Sequence, residues 1–204
     1  MAKPTEFDEK QAKRIIRYLR GTPRRGLVYH KLAPGDELQT YVYCEATLSG
    51  SYPHIGVAVF LGKPDFMHHI NVSAAVVTQC KRVKLAVLST MHAEIIAITR
   101  AIKAARFVTD LRDEMGITQR SPTIIFTDNQ PAIHFFTGDQ AVTSDMSRHL
   151  RRRYDYVRQE IVSGAIILKW VPSKLNCADI LTKVLTRELF ERHALNLMGH
   201  LPTG

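Results

Sequence analysis

The order of hydrophobic patterns predicts an α/β protein built on a mixed five-stranded sheet, three strands antiparallel and two parallel, with helices on both faces. Three observations carry this. Three strand-like runs follow one another within residues 38–77, the period lengthens to that of a helix at Ser89, and two compact apolar runs at 121–130 and 165–173 then alternate with helical patterns. Meander strands followed by strand–helix units give an antiparallel half joined to a parallel half.

In chain order, "TEFDEKQAKRIIRYLRG" opens on Thr5 with acidic first-turn residues, places Ala12, Ile15, Ile16 and Leu19 at helical spacing and stops at Gly21. "GLVYHKL" (26–32) is a short strand candidate and "APGDE" a turn. "LQTYVYCEA" (38–46), "IGVAVFLG" (55–62) and "MHHINVSAAVV" (67–77) are rich in β-branched and aromatic residues and read as strands. From Ser89 to Gly116, Ile95, Ile98, Ile102 and Ala105 share one face of a long helix. "SPTIIFTDNQ" is an unbroken apolar run bounded by Pro122 and Asp128, as expected of a buried central strand. "QPAIHFFTG" is a short helix, 144–164 a longer one, "AIILKWVPS" a strand, and 177–199 is expected to be helical throughout.

In sheets of this kind ligands gather at the carboxyl ends of strands, so acids there are the candidates for chemistry. Glu45 is expected to end the first main strand and Asp128 ends the apolar run; Glu94 lies early in the long helix on the side of its apolar stripe, and Asp179 follows the last strand. Four carboxylates at one sheet end repel one another unless a cation neutralises them, and a hard divalent ion such as Mg²⁺ meets that need. Two such ions about 3.5–4 Å apart would clamp the attacking and leaving oxygens of a phosphodiester. The same residues also read as a helix N-terminal charge, a turn residue and two solvated glutamates, and the spacing alone leaves both readings open.

The charge narrows the class of partner. Lys and Arg number 28 against 19 Asp and Glu, a formal net charge of +9, which favours polyanions, nucleic acid first, although a generally basic surface explains the same excess. "SRHLRRRYDYVRQE" puts Arg148, Arg151, Arg152 and Arg158 around one helix, where they can follow phosphates or simply face water. Asn129 and Gln130, directly after Asp128, fit either contact with the sugar edge of an RNA strand or plain turn chemistry. Cys44, Cys80 and Cys177 are far apart and odd in number, against a disulfide framework or zinc site and in keeping with a reducing compartment. His68 and His69, adjacent on a strand, would point to opposite faces and chelate poorly. No apolar run approaches the length of a membrane span, and no small-molecule cofactor motif stands out.

Five stretches in order, "QAKRIIRYLRGTPRRGLVY", "HAEIIAI", "FTDNQPAIHF", "RRRYDYVRQEIVSGAIILKWVPS" and "ADILTKVL", resemble the ribonuclease H domain of copia-type (Pseudoviridae) LTR-retrotransposon polyproteins. The resemblance runs from about Pro4 to Leu197. It implies a ribonuclease H-like fold over residues 35–204, preceded at 1–34 by a helix and strand resembling the connection to reverse transcriptase. It also implies hydrolysis of the RNA strand of an RNA–DNA hybrid during reverse transcription. Glu45, Glu94, Asp128 and Asp179 would be the catalytic acids and ligands of two Mg²⁺ ions, with Mn²⁺ able to substitute. The implied partners are the hybrid and the polymerase portion of the same polyprotein, and the implied location is cytoplasmic, within a virus-like particle, or nuclear. The chain would then be a fragment of a longer polyprotein.

The chain departs from the family pattern in places. Glu45 stands where the family usually writes aspartate, His92 replaces a glutamate two residues before Glu94, and the loop before Asp179 has no histidine. The longer Glu45 side chain moves its carboxylate by about a bond length, and a misplacement of about 1 Å can cost about 10²-fold in rate. A second reading therefore stands beside the nuclease: a ribonuclease H-like module that binds nucleic acid or supports a polymerase without cutting. An integrase-like member of the same superfamily is a weaker third.

Overall fold

The computed structural model describes residues 3–31, 37–49, 52–63, 73–84, 87, 89–138 and 147–200. Five strands, β1 (Gln39–Ser49), β2 (Tyr52–Gly62), β3 (Val77–Arg82), β4 (Thr123–Thr127) and β5 (Ile166–Trp170), form one sheet in the order β3-β2-β1-β4-β5. β1–β2 and β2–β3 are antiparallel, whereas β1–β4 and β4–β5 are parallel. The expected mixed α/β sheet is therefore observed.

Alternation along the strands builds two cores. Val42, Cys44, Val57 and Val59 face α2 (Thr90–Glu114), α3 (Gln130–Thr137) and α4 (Arg148–Val162) and pack with Ile95, Ile98, Ile102, Phe136 and Val157. Tyr41, Tyr43, Phe60 and Phe126 point the other way, onto Val171, Cys177 and Ala178, with Leu197 of α5 (Arg187–Leu197) beside them. Residues two apart on a strand share a face, which is why each strand feeds both cores. All five residues of β4 are buried, as its unbroken apolar run predicts. At the far end of α2, buried Arg112 donates to Thr40 Oγ1 (2.8 Å) and Gln119 Oε1 (2.6 Å), tying the helix to the start of β1.

Four expectations are corrected. The third strand lies at 77–82 instead of 67–77; residues 67–72 are outside the described residues, and the amides of Ala74 and Ala75 bond Val28 and Leu197 instead of a strand neighbour. β3 is an edge strand of mostly exposed, polar residues, "VTQCKR", so apolar content pointed to the wrong segment. The described part of 26–32 forms no strand; Val28 is instead hydrogen-bonded on one side to Met198 and on the other to Ala74. The helix expected over 177–199 is divided into a 3₁₀ turn, Cys177–Leu181, and α5. Asn176 accepts from the Ala178 amide at the first start and Thr186 from Leu189 at the second. Lastly, β1 continues four residues past Glu45, because 46–49 pair with 52–55 of β2.

The 3₁₀ turn rests on β2 at Gly56, the strand partner of Glu45. A Cβ there would stand 2.8 Å from Ala178 O and 2.9 Å from Thr182 Cγ2. Only the missing side chain lets the turn, with Asp179, lie flat against the sheet. Gly56→Ala is expected to lower the unfolding free energy by about 1–3 kcal/mol, the usual cost of overpacking, as read by urea denaturation.

Candidate active site

β1 and β4 run parallel with Tyr43 opposite Phe126. Two residues on in β1 comes Glu45, and Asp128 directly follows the last residue of β4, so the pairing brings the two carboxylates to neighbouring positions. The turn seated on Gly56 brings Asp179 to them. One carboxylate oxygen from each of Glu45, Asp128 and Asp179 lies within 4.8 Å of the other two. Glu94, in the first turns of α2, does not complete that set, but it is close enough to feel the charges of Asp128 and Asp179. Its Oε2 is buried without a hydrogen-bond partner.

Two residues that sequence reasoning passed over hold this cluster. Lys183 Nζ bridges Glu45 Oε1 (2.8 Å) and Asp179 Oδ1 (3.0 Å). Buried Asn176 donates to Cys44 O (3.1 Å) and Glu45 Oε2 (3.4 Å) while its own oxygen accepts from Ala178 N. The signal for Lys183 was its position four residues after Asp179, one turn on, within "ADILTK". Asn176 carried no signal beyond being a good cap ahead of "CAD".

Burial and mutual repulsion govern the protonation of the acids. Glu45 is pushed up to about 9, first by burial and then by Asp128 and Glu94, against the pull of Lys183. Burial, then Asp128, pushes Glu94 up to about 8, partly offset by a hydrogen bond from Asn129. Burial also raises Asp179, with Lys183 opposing. Burial disfavours the charged Lys183, but Glu45 and Asp179 outweigh it and hold the ammonium above its ordinary value. Hard oxygen donors, an unpartnered buried carboxylate oxygen and carboxylates held in need of positive charge fit a divalent cation such as Mg²⁺.

The remaining sequence candidates fall in different places. Asn129 caps α3, accepting from Ala132 N (2.9 Å), and Gln130 is exposed at the first position of that helix. Arg148, Arg151 and Arg152 are exposed on α4. Arg158 is turned inward and donates to Phe136 O at the end of α3, so it braces two helices. Cys44 and Cys177 are buried.

No protein-family model matches the chain. It is 30% identical over 198 residues, 95% of its length, to the retrovirus-related Pol polyprotein from transposon RE1 of Arabidopsis thaliana, and 29% identical over 195 residues to that from transposon RE2. A third relative, 27% identical over 178 residues, is the retrovirus-related Pol polyprotein from transposon TNT 1-94 of Nicotiana tabacum. The chain spans about 12% of the length of these polyproteins. Among solved structures it is similar to LC11-RNase H1 in complex with an RNA/DNA hybrid (15% identity, TM-score 0.49, 71% of this chain and 94% of that one). It is also similar to the N-terminal RNase H domain of rv2228c from Mycobacterium tuberculosis (16% identity, TM-score 0.48, 78% of this chain and 97% of the other). No helix among the described residues is long and apolar enough to cross a membrane.

The raised acids make stability depend on pH. A carboxyl whose folded pKa exceeds its unfolded value of 4.5 adds stability that is complete below 4.5 and is lost as pH rises through the folded pKa, about 8 for Glu94 and about 9 for Glu45. Without divalent ions, the melting temperature is expected to fall between pH 6.5 and 9, and Glu94→Gln should flatten that slope. Thermal melts in a chelating buffer across this range provide the check.

Proposed function

We propose that this chain is a segment of a retrotransposon Pol polyprotein and a divalent-metal-dependent ribonuclease H that hydrolyses the RNA strand of RNA–DNA hybrids during reverse transcription. The observation that carries the reading is the convergence of Glu45 within β1, Asp128 just after β4 and Asp179, with Glu94 beside them. Kinship to retrotransposon Pol polyproteins supports the substrate class, and the net charge of +9 supports a polyanionic partner.

Glu45, Asp128 and Asp179 would hold the ion, with Glu94 contributing its free oxygen. Mg²⁺ or Mn²⁺ bound there would supply Lewis acidity and an activated water. Asn176 fixes the Glu45 carboxylate by one oxygen and, through Ala178, the turn that carries Asp179. Lys183 places one positive charge between Glu45 and Asp179 and would compete with any other cation for the same oxygens. Exposed Arg148, Arg151 and Arg152 on α4, and Asn129 and Gln130 beside the cluster, would meet the hybrid. Arg158, committed to Phe136 O, would act only by bracing α4.

Lys183 on two of the acids also favours the second reading, a weakened module that binds without cutting. Cleavage of a labelled hybrid in Mg²⁺ or Mn²⁺ separates the two. We expect cutting that Asp128→Asn abolishes. Because Asn176 and Lys183 grip Glu45 at its present length, Glu45→Asp should lower the rate about tenfold, within the range that a shift of about 1 Å produces. No cutting by the native chain alongside retained hybrid binding, or a gain in Glu45→Asp, would support the module.

Residues 1–34 we assign to contact with the polymerase portion of the polyprotein. Their helix, α1 (Glu6–Gly21), buries no residue and leaves Phe7, Ile15, Ile16 and Leu19 more than half exposed. It touches the rest of the chain by the Tyr18–Phe190 edge contact, and the loop after it by the Arg25–Glu191 ion pair. The double substitution Ile15→Asp/Leu19→Asp should leave the stability of the isolated chain within about 0.5 kcal/mol while abolishing co-purification with that polymerase portion.

A further inference from the structure

The seam between α2 and α4 holds a second concentration of charge. A groove of about 400 Å³ there is lined by Thr99 and Lys103 of α2 and by His149, Arg152, Arg153 and Tyr156 of α4. None of the six is acidic. On the other flank of α2, Arg100 and Lys103 line a second groove toward Val77 and Gln79 of β3. Burial, together with the nearby charge of Arg100, pushes the half-buried Arg153 below its ordinary pKa. Among the described residues no ion pair joins Arg100, Lys103, Arg152 or Arg153 to a carboxylate.

The same seam shows what a compensated cation looks like. Farther along, Arg106 of α2 donates to both carboxylate oxygens of buried Glu160 on α4, the closer contacts at 2.6 Å. A carboxylate therefore fits between these helices, yet the stretch nearer the active site has none. Crowding cations there without a counter-charge works against folding, so the balancing charge is expected to come from outside the chain.

Position identifies the class of anion. α2 starts at the carboxylate cluster, and Lys103 lies nine residues after Glu94, or about 13 Å along the axis at about 1.5 Å per residue. That span equals about four nucleotide steps of a duplex strand at about 3.4 Å each. α4 runs alongside in the same direction, since Arg152 and Arg153 share the groove with Thr99 while Glu160 meets Arg106. A free small anion has no need of a site at this offset, whereas a polymer threaded past the cluster reaches it with its next phosphates.

We propose that the α2–α4 groove, through Lys103, Arg152 and Arg153 and with Arg100 on the adjoining flank of α2, binds backbone phosphates of the duplex whose scissile strand lies at the carboxylate cluster. The inference rests on the nucleic-acid reading above.

The test compares the full chain with Arg100→Gln/Lys103→Gln/Arg153→Gln, by fluorescence anisotropy of a labelled RNA–DNA hybrid over a salt series in EDTA, with cleavage in Mg²⁺ measured in parallel. Each phosphate contact contributes about 0.9 to the slope of log affinity against log salt. The triple variant should bind about 10–100-fold more weakly and lose about 2–3 of that slope, with a melting temperature no lower than that of the native chain. Should it fail to fold, the single Lys103→Gln, at an exposed position, should still lose about one. Unchanged affinity and slope in a folded variant would overturn the groove while leaving the nuclease intact. Absent cleavage by the native chain, with the variant's loss of affinity and slope still present, would remove the nuclease and keep the groove. If the native chain binds no hybrid even at low salt, both fall.

Discussion

Everything at the candidate site depends on the parallel pairing of β1 with β4. Tyr43 sits opposite Phe126, Glu45 comes two residues on in β1, and Asp128 directly follows the last residue of β4. A register slip by one residue would turn one carboxylate to the opposite face and put the aromatic layer of Tyr41, Tyr43, Phe60 and Phe126 out of register with it. The stacking of Tyr43 on Phe126, with centroids 4.8 Å apart, therefore steadies the site as well as the core. Asp179 enters from outside the sheet, and its approach is set by the missing side chain at Gly56.

Such a cluster works against the fold that holds it. Carboxylates set together in a buried place repel and lose hydration, and the raised pKa values of Glu45, Glu94 and Asp179 express that cost. The chain offsets part of it internally, through the Lys183 ammonium across Glu45 and Asp179 and the Asn176 amide on Glu45. The two act differently. Asn176 is buried and bonded at both ends of its amide, so it is a fixed strut. Lys183 reaches in from a partly exposed position, so its cation can be exchanged for another.

The outer surface is unbalanced in two further places, and each imbalance matches a partner of different chemistry. In the groove between α2 and α4 it is electrostatic, cations with no carboxylate among the lining residues. On α1 it is apolar, a helix whose Ile15, Ile16 and Leu19 find no cover. The chain spans about 12% of the length of its polyprotein relatives; the polymerase contact and the nucleic acid proposed above would supply the missing cover and charge.

Much of this was legible in the sequence. Period changes and turn residues located α2, β4, α3, α4 and β5, because a strand's period and its boundary residues are local properties; of the four acids chosen, Glu45, Asp128 and Asp179 lie within 4.8 Å of one another, and Glu45 sits inside β1 instead of at its end. β3 escaped because an edge strand need not be apolar, and "VTQCKR" is mostly polar. Lys183 escaped because its role is a contact across the chain with Glu45, 138 positions away (183 − 45). The arginines of α4 were visible as a group but not as individuals: Arg158 braces Phe136 O, whereas Arg152 faces the groove. The sequence by itself determined which residues can carry charge, bury or turn, since these depend on side-chain chemistry and near neighbours. Only the tertiary structure decided which charges meet, because a lysine becomes a counter-ion, or an arginine is left without one, through the packing of segments that are distant along the chain.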